Sequence, residues 1–240
     1  MAPFSIREYR PSDQHVVMSL FHDGIFEHIY PAFFKAISNP DHVGIALSIS
    51  MAGYVLGGSS YFQALLFGSI WAGFVYYCCH DIYDRYMMGR LSADMAYIQA
   101  SYLENPDNGF WVAEVDVNGQ AKVVGMVAVM DAVNRSYAQM SHIIVAFSWR
   151  RKNLGSRLTR RALDFCKERG FSRLIMDVSS PQTAAISMCQ KLGFVQTGSL
   201  CNTHANRWFY KLARITVKRM ERSLKLKCTY TSTNIIINNK

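Results

Sequence analysis

Hydrophobic and polar positions recur along this chain with periods that change several times, and each change marks a structural boundary. Phe4-Ser-Ile-Arg-Glu-Tyr-Arg10 alternates singly and is stopped by Pro11, which predicts a short strand. Behind Ser12 or Asp13 as a cap, Val16, Val17, Leu20, Phe21, Ile25 and Ile29 recur at helical spacing. From Val43 to Cys79 the alternation disappears: 37 consecutive residues carry no Asp, Glu, Lys, Arg or His, and Gln63 is their only strongly polar side chain. Ser92–Leu103 reads as a helix closed by the turn Asn105-Pro106-Asp107-Asn108-Gly109. The period then falls to two. Phe110–Asp116 and Lys122–Asp131 are alternating, β-branched runs joined across Asn118-Gly119, a hairpin signal, and Met140–Phe147 is a third strand. Arg157–Glu168 turns Leu158, Ala162, Leu163, Phe165 and Cys166 to one side of a helix that Gly170 ends. Arg173–Val178 predicts a buried strand, Thr183–Leu192 a helix and Phe194–Leu200 a last strand.

Three antiparallel strands followed by strand, helix, strand, helix and strand describe an α/β fold, a mixed sheet with helices on its faces. The uncharged run is the exception to a soluble pattern. A helix needs roughly 20 residues to cross a hydrocarbon core about 30 Å thick, so 37 residues exceed one upright span and fall short of two. Gly57-Gly58-Ser59-Ser60 has poor helix propensity and divides the run into Val43–Leu56 and Tyr61–Cys79. The reading is a tight membrane hairpin or re-entrant loop, with a single tilted span and a buried core helix as competitors. Tyr54, Tyr61, Trp71, Tyr76 and Tyr77 suit either an interface or a core, and Cys78-Cys79 at the edge is compatible with palmitoylation.

Six cysteines occur without a Cys-x-x-Cys pair, which argues against a zinc module or a disulfide framework, so no metal is expected. The net charge of +9 is unevenly distributed. Residues 141–240 carry 19 basic and 4 acidic side chains, whereas residues 80–140 carry 4 and 8. A polyphosphorylated cofactor, an anionic membrane surface and nucleic acid all fit such a bias. The turn leaving Met140–Phe147 enters a helix, where exposed N–H groups and the helix dipole favour an anion.

That turn reads Arg150-Arg151-Lys152-Asn153-Leu154-Gly155-Ser156. It resembles the pyrophosphate loop of the GCN5-related acetyltransferase (GNAT) superfamily, Gln/Arg-x-x-Gly-x-Gly/Ala, with Arg150 and Gly155 matching. Asn153 replaces the first glycine, and asparagine enters positive-φ conformations at modest cost. Gln182-Thr-Ala-Ala-Ile-Ser-Met-Cys-Gln-Lys-Leu-Gly-Phe194 resembles the second motif of the superfamily through Ala185, Lys191, Gly193 and Phe194. Asp94-Met, Ser101-Tyr-Leu, Phe110-Trp-Val-Ala-Glu114, Val124-Gly-Met-Val127, His142-x-x-Val145 and Gly193-Phe-x-x-Thr-Gly198 complete an arrangement similar to the camello and cysteine S-conjugate N-acetyltransferase (N-acetyltransferase 8-like) group. The resemblance spans most of residues 1–210.

The resemblance implies a GNAT-type sheet with a membrane hairpin inserted after the first helix, and acetyl transfer from acetyl-CoA to an amine. Ile144, Val145, Arg150, Arg151, Lys152, Asn153, Leu154, Gly155, Ser156, Gln182 and Ala185 are the implied cofactor contacts. His142, on the central strand, is the candidate base, with a hydrogen-bonded strand histidine as the alternative. Glu114 is a candidate for holding a relay water, or is a surface carboxylate. Cys189 stands where the superfamily has the tyrosine that reprotonates the CoA thiolate, and it either takes that role or packs in its helix, with solvent or Tyr210 as substitutes.

The chain therefore divides into 1–42, the first strand and helix; 43–79, the membrane segment; 80–210, the catalytic part; and 211–240, a basic tail. Leu212, Ile215, Met220 and Leu224 fall on one side of that tail if it is helical, which suits anionic lipid or a solvated helix better than nucleic acid, and residues 229–240 read as frayed. The expected acceptor is the α-amine of a small S-substituted cysteine. Protein lysine, in histone or secretory cargo, is the alternative, and a membrane-tethered CoA-binding scaffold with little turnover is the third reading. The expected setting is endoplasmic reticulum or Golgi membrane with a cytosolic active site.

Overall fold

A computed structural model describes residues 4–132, 136–200 and 207–224. Seven strands form one sheet in the order β1-β2-β3-β4-β5-β7-β6: β1 Phe4–Glu8, β2 Gly109–Val117, β3 Gln120–Asp131, β4 Ala138–Val145, β5 Arg173–Ser179, β6 Val195–Leu200 and β7 Val217–Ser223. Only β4 and β5 run parallel. Single alternation gives each strand two faces. Trp111, Ala113, Val115, Val127, Val129 and Met140 face helix α5, Leu154–Glu168, which buries Leu158, Ala162, Leu163, Phe165 and Cys166 as its periodicity predicts. Phe110, Val112, Met126, Ala128 and Ile144 face helices α1 Gln14–Phe26, α2 Ile29–Ile37 and α4 Tyr61–Ser92.

The α1 face is pressed close to the sheet. A Cβ on Gly24 would stand 2.6 Å from Ile144 Cγ2, a branched side chain with no freedom to withdraw. Gly24→Val is expected to lower the stability by about 1–3 kcal/mol through overpacking, read as a lower urea midpoint at constant slope.

The uncharged run is a helical hairpin. Helix α3, Pro40–Leu56, starts behind an Asn39 cap and returns through Gly58 and Ser59, both at positive φ, into α4. The tip is bare: Leu56, Tyr61 and Phe62 are 79%, 81% and 74% exposed. Helix α4 does not end with the run at Cys79. It is 32 residues long, and from Val75 to Met87 it supplies Val75, Cys79, Tyr83 and Met87 to the α1-face core. Cys78 and Cys79 are fully buried there and inaccessible to acylation.

Two expected helices are corrected. Ser92–Leu103 is not one helix: α4 stops at Ser92, Ala93 leaves helical geometry, and a single π turn follows at Gln99–Leu103. The break lets Asp94 turn into the core instead of facing out on a helix. The basic tail is not a lipid-facing helix either. Helix α7, Arg207–Ala213, ends at Arg214, whose φ is 50°. Val217–Ser223 then inserts between β5 and β6, where both ladders satisfy its backbone. Its charges are paired across the sheet, Arg219 with Asp177 at 2.9 Å and Glu221 with Arg173 at 3.4 Å, while Met220 and Leu224 are buried. Cys201, Cys228 and residues 225–240 lie outside the described residues.

Candidate active site

The parallel ladder between β4 and β5 is three residues long, pairing Ala138, Gln139 and Met140 with Leu174, Ile175 and Met176. Beyond Met140 the strands part, and a cavity of about 780 Å³ opens between Ser141–Val145 on one side and Asp177 and Ser179 on the other. Peptide groups of β4 that point towards β5 past this point have no ladder partner, leaving them for an extended ligand with amides of its own.

At one end of the cavity lies the basic turn. Asn153 takes φ 60° as N-cap of α5, the left-handed geometry expected of an asparagine in place of glycine, and Arg151 takes φ 61°. No backbone N–H from Arg151 to Ser156 donates to a backbone carbonyl; the first such bond of α5 is Arg157 N–H to Asn153 O, 3.1 Å. Six donors at the positive end of a helix make an anion cradle. A Cβ on Gly155 would stand 3.1 Å from Met188 Sδ, so glycine keeps this wall thin. Arg150, Arg151, Asn153, Leu154, Gly155 and Ser156 line the cavity, as do Ile144, Val145, Gln182 and Ala185. Lys152 is not among the lining residues, its Nζ lying 4.1 Å from the Trp149 ring centre. The guanidinium of Arg150 binds both Glu27 carboxylate oxygens at 2.6 Å and the Val145 carbonyl at 2.9 Å, tying α1 to the end of β4. These free N–H groups and the unladdered edges of the split suit the diphosphate and the pantetheine amides of acetyl-CoA.

At the other end lies His142. A plain strand would put it on the α5 face with Met140, two residues earlier. Between Met126↔Ile144 and Ala128↔Ser141 the register slips by one, so His142 and Ile143 oppose the single residue Val127. This bulge, with His142 at φ 52°, turns the imidazole to the α1 face. There Phe21 packs edge-on at 5.2 Å between ring centres, and Nε2 meets Asp94 Oδ2 at 2.6 Å. The Tyr102 hydroxyl donates to the same oxygen. Burial would raise the Asp94 carboxyl, but the bonds and charge of His142, with Tyr102 and Arg90 adding to them, hold it at about 2. Tyr102 is pushed up by burial and by the Asp94 charge. An ionised carboxylate only accepts, so Nε2 carries a proton towards Asp94, and Nδ1 is buried with no hydrogen-bond partner.

Two expected catalytic residues are elsewhere. Glu114 does not line the cavity; its carboxylate accepts from Arg7 Nε at 2.6 Å, and Arg7 also binds Asp13, which draws the edge strand β1 onto β2 and the start of α1. That guanidinium lowers the Asp13 carboxyl against the pull of burial. Cys189 on α6, Thr183–Lys191, is fully buried among the α5-face core residues, and burial pushes its thiol up to about 12. Its neighbour Met188 faces the cavity instead. Tyr210, the other substitute, donates to the Leu200 carbonyl at 2.9 Å and does not line the cavity. The cavity instead gathers Tyr83, Tyr86, Arg85, Arg90, Glu27 and His28 from α4 and the α1–α2 elbow, none of them expected as site residues from sequence.

Comparison with known proteins agrees with this geometry. The Acetyltransferase (GNAT) family model matches residues 76–194. N-acetyltransferase family 8 member 3 of Mus musculus is 31% identical over 215 residues, covering 86% of this chain and 91% of its own. The camello N-acetyltransferase of Xenopus tropicalis is 30% identical over 200 residues, 81% of this chain and 87% of its own. Among solved structures, an acetyltransferase of the GNAT family from Staphylococcus aureus Mu50 superposes with a TM-score of 0.54 at 14% identity, over 93% of this chain and all of that one, a likeness of fold. The chain belongs to the GNAT acetyltransferase family, in the group of the family 8 and camello proteins, and is an acetyl-CoA-dependent N-acetyltransferase.

Proposed function

We propose that the chain acetylates the α-amine of a small S-substituted cysteine while anchored by its α3–α4 hairpin to endoplasmic reticulum or Golgi membrane, with the active site in the cytosol. The observation that carries the acceptor is the composition of the cavity wall, which includes His142, the cations Arg85 and Arg90, paired here with Asp81 and Asp94, and the apolar Phe21, Ile25 and Ile82, a mixture suited to an α-carboxylate and an apolar S-substituent. Bound acetyl-CoA supplies an acetyl group activated as a thioester. The protein orients the amine and removes its proton. His142 Nδ1 accepts that proton, directly or through one water, and Asp94 stabilises the resulting imidazolium. Unladdered β4 amides in the split are the donors available to the carbonyl oxygen as charge develops on it.

Anchoring is supported by where the apolar surface ends. Exposed Leu47, Met51, Val55, Leu65 and Ile70 cover the hairpin, whose uncharged arms, 14 residues in α3 and 19 in α4, reach about 21 Å and about 28 Å, and α4 is long and apolar enough to cross a membrane. Just above them stands a collar of aromatic and basic residues. Phe209 of α7 packs on Phe74 and Tyr77, and α2 packs Tyr30 and Phe33 on Tyr76. Trp208 is exposed beside Lys211, as are Tyr30, Phe34 and Lys35. Such residues favour the headgroup layer.

Thiol release from acetyl-CoA by detergent-solubilised protein tests the acceptor. S-benzyl-cysteine is expected to outpace a histone peptide, and Arg85→Gln to raise its KM by about tenfold, the worth of one charged contact. A faster peptide reaction would move the assignment to protein lysine. For the anchor, L56D/F62D at the hairpin tip is expected to leave the membrane pellet with its activity intact; persistence in the pellet would discard the hairpin.

A further inference from the structure

We propose that the Tyr83 hydroxyl is the acid that protonates the departing CoA sulfur. Collapse of the tetrahedral adduct breaks the C–S bond and leaves the electron pair on sulfur, and a proton delivered to that sulfur as it departs makes it the better leaving group. The proposal rests on acetyl transfer itself and not on which amine receives the group.

Cys189 is shut in the core on the α5 face, so the proton comes from another group. Two phenols line the cavity, Tyr83 and Tyr86. Tyr86 is exposed and carries the Arg90 guanidinium 5.6 Å from its ring centre. Tyr83 is buried and enters from α4, with its hydroxyl 3.2 Å from Ser179 Oγ. Ser179 is the last residue of β5, on the side of the split opposite Ile144 and Val145, and its N–H donates to Gln182 Oε1 at 3.2 Å. Tyr83, Ser179 and Gln182 all line the cavity. The two sides of the split therefore carry complementary groups: an imidazole whose Nδ1 has no hydrogen-bond partner on β4, and at the end of β5 a serine hydroxyl against which the α4 phenol is held. Around the phenol lie His28, 6.3 Å away ring to ring on the α1–α2 elbow, Cys79 one turn earlier on α4, the Glu27–Arg150 pair, and Asp177, which Arg219 holds. Burial lowers His28, favouring its neutral form.

As the C–S bond breaks, the Tyr83 O–H bond breaks and an S–H bond forms. Water returns a proton to the phenolate, and the proton taken from the amine leaves through His142 to water. One proton has then moved from nitrogen to sulfur, and both side chains are restored.

The test uses the full-length protein in detergent with saturating acceptor. Tyr83→Phe is expected to lower kcat on the order of 100-fold, while acetyl-CoA affinity measured by calorimetry changes less than about twofold. 3-Fluorotyrosine at position 83 is expected to recover most of the rate and to move the alkaline limb of the kcat profile to lower pH. An unchanged kcat in Tyr83→Phe overturns the proposal. So does a loss of rate matched by a loss of affinity, or a fluorotyrosine protein whose alkaline limb stays at the parent pH. Because the same readouts apply with S-benzyl-cysteine and with a histone peptide, a wrong acceptor assignment and a wrong acid are told apart.

Discussion

His142→Ala is expected to lower kcat by roughly 100-fold to 10,000-fold while leaving acetyl-CoA affinity close to that of the parent, because the imidazole is held against Phe21 and Asp94 on the α1 face and not at the 151–156 turn. A parallel set of kcat values for parent and variant checks it, and equal values would remove the base assignment. Asp94→Asn should reproduce much of this loss without deleting the ring, since an amide no longer dictates which imidazole nitrogen holds the proton. The carboxylate also has a stability signature. Its folded value of about 2 lies below the ordinary unfolded value near 3.9, so its contribution is present above about pH 4 and is lost as pH falls through about 2. Denaturant titrations of Asp94→Asn should therefore show a flatter acid dependence than the parent in that window.

The second large effect is expected at the cradle. Gly155→Val places a branched side chain where a single Cβ already comes within 3.1 Å of Met188 and 3.9 Å of Val145, at the second residue of α5. Acetyl-CoA affinity should fall by more than about tenfold, about 1.4 kcal/mol, while kcat at saturating cofactor stays near the parent value. Lys152→Gln is the contrast: its side chain lies over Trp149 outside the lined cavity, so the loss should be smaller. Calorimetry of both variants decides the matter, and equal losses would mean that net charge, not the backbone cradle, holds the diphosphate.

What was readable in the chain follows from the range over which each signal acts. The alternation of Phe110–Asp116 and Lys122–Asp131, the apolar stripe of α5 and the positive φ of Asn153 are local properties, set by side-chain spacing and by one residue's steric freedom, and the fold carries all of them. His142 was found for its position on the central strand, but its orientation was not legible, because it depends on a bulge opposite Val127 that no pattern within β4 reveals. Glu114 and Cys189 were chosen by analogy of position, and both are claimed by partners distant in sequence: Arg7, 107 residues away, and the α5-face core. The tail misled for a related reason. Val217–Ser223 has too few apolar residues to read as a buried strand, and its charges make sense only once Asp177, Arg173 and the Leu192 carbonyl are beside it. Tyr83 and Arg90 were hidden by a boundary. The uncharged run stops at Cys79, whereas the helix continues for another three turns and more, carrying both into the cavity wall.

That continuity ties catalysis to geography. One unbroken rod starts in the hairpin tip, passes the collar at Tyr76 and Tyr77, and forms the cavity wall by Ile82 to Arg90. From Tyr77 to Arg85 the rise is about 12 Å, so the proposed anchoring would carry the cavity at a fixed stand-off from the lipid headgroups. An amine with a greasy substituent and a charged carboxylate concentrates in that same thin layer of water and headgroups. Under the proposed anchoring and acceptor, the catalyst would sample the enriched film at the bilayer surface in preference to the bulk solution, and its effective supply of acceptor would scale with how strongly each compound partitions there.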